Sequence, residues 1–263
     1  MSVPRRPPAL LAAPLLALAL MLAGCSSDTA PVKSPVGAPG QGAAGPQSDA
    51  APALRASPAT SPAPRPAEIP GLGPETRAAI PAGARQAFVV TGEEADANQS
   101  SAVLYSREDA AQGWRPVAGP WPAHNGMEGW TDHHVAGDLR SPTGVYPLTD
   151  AGGRLPDPGA LLPYDEHPRF AVDGEGFFGE PLEGSFDYVV AINYNRTAGV
   201  SPLDRTRPLG LGRGGGIWVH VDHGGPTQGC VSVPEKHMVE LLRTLDPAKK
   251  PVIVMGDAES LGR

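Results

Sequence analysis

The chain has 263 residues, room for one domain of ordinary size or two small ones. Its net charge of −7 excludes the basic face that a nucleic-acid binder needs, and two cysteines exclude both a disulfide scaffold and a four-cysteine zinc module. Glycine (33) and proline (32) together approach the level of low-complexity sequence, so unlike segments must be read apart, and no apolar run reaches the roughly 20 residues of a membrane-spanning helix.

Residues 1–24 form the first unit. Arg5 and Arg6 precede an apolar run from Ala9 to Ala23, broken only by Pro14, which ends in Leu22-Ala23-Gly24-Cys25. This is the layout of a secretory signal with a short apolar region. The tetrapeptide resembles the lipobox of bacterial lipoproteins, which implies that Cys25 is lipidated and becomes the first residue after cleavage. The alternative is an ordinary signal peptide with an incidental cysteine. With Cys25 consumed, Cys230 is the remaining thiol; in an oxidising compartment it has no partner in its own chain, so it is either buried and inert or kept for reactivity. Residues 25–84 then run rich in Pro, Ala, Gly and Ser, with too little apolar surface to offset the entropy of ordering. They are read as a disordered, extended spacer in front of a domain at 85–263.

Within that domain the elements are mostly short strands. Gln86–Thr91, Ala102–Ser106, Trp114–Val117, Val145–Leu148 and the apolar Phe186–Tyr194 come first, followed by Gly216–Val221, Gly229–Val233 and Pro251–Met255. Loops rich in Gly, Pro and Asp separate them, so the expected fold is mainly β, a sandwich or open barrel, with one well-marked C-terminal helix. Ser232 and Glu235 have the spacing of a capping box with Pro234 in the first turn, and Met238, Leu241, Leu242 and Leu245 form one apolar stripe.

The chemistry concentrates just before that helix. Thr227-Gln228-Gly229-Cys230 lies ten residues after His220. A thiol needs a nearby imidazole to raise its nucleophilicity, and a hairpin through the Gly-Gly-Pro turn brings the two side chains together. Gly229 offers an unobstructed N–H beside the cysteine, suited to an oxyanion. These residues resemble the L,D-transpeptidases (the YkuD-type catalytic domain): Ile217-Trp218-Val219-His220 and Thr227-Gln228-Gly229-Cys230-Val231-Ser232-Val233-Pro234 match the family's His strand and Ser/Thr-His-Gly-Cys segment. Gly137–Leu148, with Pro142-Thr143-Gly144, matches an upstream family element. The likeness spans about residues 85–257. Two departures stand out: Gln228 replaces the family's second histidine, and the loop between His220 and Cys230 is short, which predicts a smaller lid over the substrate channel.

The resemblance implies that Cys230 is the acylated nucleophile, His220 its base, and the N–H groups around Gly229 and Cys230 the oxyanion donors. Thr227, Gln228 and His223 border the same site. His223 is expected as a turn residue at the surface or as a stand-in for the missing histidine. A zinc reading of His220, Asp222 and His223 with Asp132, His133 and His134 is disfavoured, because residues 220 and 223 point to opposite faces of a strand; His133 and His134 are expected to be solvated. Trp121, Trp130 and Tyr164 are expected in the core. No metal or cofactor is expected.

The implied function is an exported lipoprotein, anchored to the outer face of the cell membrane through Cys25, whose cysteine acyl-transferase domain acts on donor and acceptor stem peptides of peptidoglycan. Hydrolysis of the acyl-enzyme in place of transfer, and a wall-binding lipoprotein of impaired activity, are the alternatives. A sortase would need a wider His–Cys separation and an arginine soon after the cysteine, and papain-like enzymes place Cys before His. Nothing in the sequence speaks to oligomeric state.

Overall fold

A computed structural model describes residues 67–263; the signal, Cys25 and the spacer up to residue 66 lie outside the described residues. A short helix α1 (Pro74–Ala79) leads to strands β1 (Gln86–Gly92), β2 (Gln99–Ser106) and β3 (Arg115–His124). Two-residue strands β4 (Trp130–Thr131) and β5 (Ser141–Pro142) pair with each other, and β6 (Gly144–Gly153) and β7 (Tyr164–Glu166) follow. Then come β8 (Val189–Ile192), β9 (Trp218–Val221), β10 (Val231–Val233), helix α2 (Glu235–Thr244), β11 (Val252–Asp257) and a single turn, α3 (Ala258–Leu261).

The sheet closes on itself, where the sequence suggested a sandwich or an open barrel. Strand β6 is long enough to serve two partners: Gly144–Pro147 pairs antiparallel with β11, and Leu148–Gly152 pairs with β8. Going round, β6, β11, β1, β2, β3, β10, β9 and β8 are each hydrogen-bonded to the next, and β8 returns to β6. Of the nine strands of this sheet, β7 alone stands outside the ring, paired parallel to the far end of β6.

Side-chain alternation fills the interior. Phe88 and Val90 of β1, Leu104 of β2, Val190 and Ile192 of β8, Val219 of β9 and Val231 and Val233 of β10 share one core with the α2 stripe. Met238, Leu241, Leu242 and Leu245 are fully buried, as their spacing predicts. At roughly 1.5–3 kcal/mol for each such side chain, α2 is held by packing. The capping box does not form. Pro234 occupies the N-cap with no side-chain cap, because Ser232 is still within β10 and its Oγ donates to Asp222 Oδ1 at 2.7 Å.

The boundary at 85 is also corrected. Ile69 and Leu72 are buried in a second apolar cluster with Ala87 and Val89 of β1, Val252 and Val254 of β11, Trp114 and Leu261. These are the outward-facing residues of β1 and β11, so the segment covers the back of the barrel wall. Backbone bonds tie it down: Trp114 N–H donates to the Ala67 carbonyl (2.8 Å), and Gly73 N–H to that of Leu261 (2.8 Å). Residues 67–84 therefore belong to the folded domain. Trp121 and Trp130 are in the main core and Tyr164 packs against it, as expected.

Candidate active site

His220 stands in β9 and Cys230 immediately precedes the neighbouring β10, but the two strands do not form a hairpin. Strands β9 and β10 are parallel, with Val219 opposite Val231 and His220 opposite Ser232, and residues 222–230 make the crossover. Because the valines of both strands point into the core, alternation turns Trp218, His220, Cys230 and Ser232 to the outer wall.

The turn before Cys230 is braced from both sides. Thr227 Oγ1 donates to the Cys230 carbonyl (2.7 Å) and accepts the Gly229 N–H (3.1 Å). Ser141 Oγ accepts the Gly126 N–H (2.9 Å) and reaches the carbonyls of Gly229 (2.9 Å) and Cys230 (3.1 Å). Gly229 has a φ of 137°, and a Cβ there would come within 3.0 Å of the Arg140 carbonyl oxygen, so the position requires glycine. Its N–H is not the free oxyanion donor expected from the sequence, since Thr227 engages it. Among the described residues, the Gln228 and Cys230 amides have no protein acceptor and are the remaining candidates.

The Cys230 sulfur accepts the Trp218 N–H (3.4 Å) and faces the Gly216 carbonyl at 3.7 Å. Burial pushes its thiol up to about 11, against the weaker opposing effect of the Trp218 N–H. His220 Nδ1 lies 2.9 Å from the Val221 carbonyl, which accepts its proton and leaves Nε2 unprotonated. Burial lowers this imidazole to about 4, and His223 adds to the effect. Thiol and imidazole thus rest as a neutral pair.

His223 is not a surface residue. Its side chain is 5% exposed, its ring stacks on that of His220 (centroids 5.8 Å apart, planes 10° apart), and its Nδ1 stands 3.2 Å from Glu180 Oε1, off the line of a good hydrogen bond. Burial works to raise the Glu180 carboxyl, but backbone N–H bonds, including that of Phe178 (2.8 Å), and His223 outweigh it and hold the group below its ordinary range. Asp222 is spent elsewhere: its Oδ1 takes both Ser232 Oγ and His124 Nδ1 (2.8 Å), and the bond to Asp222 raises the His124 imidazole. Among the described residues, no three His, Cys, Asp or Glu side chains converge as a metal shell.

These groups border one cleft of about 590 Å³, lined also by Thr227, Gln228, Phe186 and the run Gly214-Gly215-Gly216. Its cover comes not from the short His–Cys crossover but from the long β7–β8 connection, which contributes Val172, Glu175, Phe177 and Leu182. His133 is solvated as expected, with a side chain 85% exposed, whereas His134 is 4% exposed and lines the cleft. Sequence reasoning missed His134 and Ser141; the only signal was their place in or beside the upstream Gly137–Leu148 element.

A family model described as the L,D-transpeptidase catalytic domain, YkuD, matches residues 94–254. No curated protein and no solved structure matches the chain.

Proposed function

The chain belongs to the L,D-transpeptidase family, and from that premise we propose that it is an exported lipoprotein whose Cys230 is acylated by a peptidoglycan stem peptide with His220 as the base. Activity of the L,D-transpeptidase type on peptidoglycan follows from the family; the residues and steps are the proposal. The observation that carries it is the orientation of His220: with Nδ1 held by the Val221 carbonyl, Nε2 is the atom free to accept a proton in the cleft that holds the thiol.

The chemistry then follows from the neutral pair. As the sulfur attacks the donor carbonyl, Nε2 takes the thiol proton, so no thiolate has to exist beforehand. The Gln228 and Cys230 amides are placed to receive the oxyanion. The C–N bond breaks as the proton passes to the leaving amine, and a thioester remains on Cys230. An acceptor amine attacks the thioester and releases the thiol. Among the described residues, the cleft lining holds one carboxylate, Glu175, and no lysine or arginine, which favours an acceptor carrying an ammonium group.

Two measurements test this reading. A carbapenem should give a stoichiometric adduct by intact mass, absent in Cys230→Ala; an unmodified wild-type protein would refute the acyl-enzyme. Cys25→Ser should release the protein from membranes without changing adduct formation. Continued detergent-dependent fractionation of that variant would refute lipidation.

A further inference from the structure

The acylation step leaves one buried imidazole of the cleft without a task. The His134 side chain is 4% exposed and its Nδ1 stands 2.9 Å from Asp138 Oδ1, slightly off the line of an ideal hydrogen bond. Asp138 is fixed in turn, accepting the Val135 N–H on Oδ2 (2.9 Å) and the Arg140 N–H on Oδ1 (3.0 Å). A carboxylate on Nδ1 selects the tautomer whose Nε2 is a base, the logic of any His–Asp couple. Among the described residues Nε2 has no protein partner, and unlike Nδ1 it is not sealed from the cleft.

The ring is also held in place beside the nucleophile. It meets Tyr194 edge-on at 5.3 Å, and the Tyr194 hydroxyl is anchored on the Arg213 carbonyl at 2.9 Å. Its Cε1 faces Gly229, 3.7 Å from where a Cβ would lie. Its Nε2 faces Gly214, whose φ is 64° and where a Cβ would intrude to 2.6 Å. A side chain at position 214 would therefore collide with this nitrogen. Gln228 cannot accept a proton, and the imidazole beside Gly229 comes instead from the loop between β4 and β5. His223 is less suited: two stacked imidazoles resist carrying charge together, so it competes with His220.

The geometry points to His134, oriented by Asp138, as the group that takes the proton from the incoming nucleophile when the Cys230 thioester is resolved. This rests on the acyl-enzyme proposed above. The nucleophile, an amine or water, forms its bond to the thioester carbonyl and passes one proton to His134 Nε2. The C–S bond breaks with its electron pair on sulfur. The thiolate is reprotonated from water in the cleft, to which His134 returns its proton. The first half-reaction thus uses His220 and the second uses His134.

A chromogenic cephalosporin separates the halves with the full-length protein: the burst reports acylation, and steady-state hydrolysis reports release with water as the nucleophile. His134→Gln should acylate within about twofold of wild type yet release the acyl group about 10²-fold more slowly, in the range for a lost general base, so that adduct accumulates by intact mass. Asp138→Asn should do the same, because its amide favours the wrong tautomer; it stands as the test if His134→Gln does not fold. Unchanged release in a folded variant, or acylation and release falling in step, would overturn the assignment. Wild-type protein that never acylates would overturn the acyl-enzyme reading itself.

Discussion

His220→Ala lowers the rate at which a β-lactam acylates Cys230 by about 10²- to 10⁴-fold, the range for loss of a general base, and His223→Ala lowers it far less. His220 is the imidazole whose Nδ1 is committed to a backbone carbonyl, on a strand whose ladder partners fix its position. Phe186 meets the ring edge-on at 5.3 Å and holds its plane. The His223 ring has only a misaligned carboxylate on Nδ1 and lies next to Gly224-Gly225. The pH profile carries a second signature. Burial sets the imidazole near 4 and the thiol near 11, so the productive form, neutral Nε2 with neutral thiol, prevails across that interval. Wild-type acylation should stay level through neutral pH and fall as the pH drops toward about 4, where Nε2 takes up a proton. That acid limb should vanish in His220→Ala. If His223→Ala is the inactive variant and His220→Ala is close to normal, the base is misassigned and only the cysteine chemistry stands.

Asp150→Ala destabilises the domain by about 3–5 kcal/mol, the cost of leaving a buried charge without its partner. Asp150 and Arg196 form an ion pair at 2.8 Å with side chains 5% and 3% exposed. The aspartate also accepts the Gly199 N–H at 2.9 Å, and the arginine donates to the Val200 carbonyl at 2.6 Å and to Asn193. Asp150 sits in β6 at the shift in register where that strand pairs with β8, so the pair ties the start of the long β8–β9 connection to the barrel. Urea unfolding should show the midpoint falling with little change in slope. A loss under about 1 kcal/mol would mean that water already reaches the pair. Replacing both residues by apolar ones of similar volume should recover most of the loss, since the penalty is the orphaned charge and not the missing attraction.

How far the sequence could be read depended on how local each signal was. The β1 and β11 strands and the stripe of α2 carry their own periodicity, and they appear within a residue or two of their expected places. His220 and Cys230 fall in one short segment, and the structure puts both on one cleft. The direction of β9 against β10 was not legible, because a ten-residue separation suits a hairpin as well as a tight parallel crossover. Nor was barrel closure, which depends on one strand serving two partners. Ile69 and Leu72 carry no period amid Pro and Ala, and their burial is decided by the outward faces of β1 and β11. Ser141 meets Gly229 across 88 residues of sequence, a contact that no local pattern announces.

The barrel is packed solid and Cys230 stands on the outside wall, and under the acyl-enzyme proposal this decides what size of molecule the protein can handle. A catalyst that encloses its substrate must admit the whole of it. This one presents a trough beside a closed cylinder, so only the few atoms lying in the trough need to fit. Whatever extends past the ends of the trough does not have to pass through the barrel. Such an arrangement can work at points along an insoluble, continuous mesh, moving from strand to strand without ever having to swallow one.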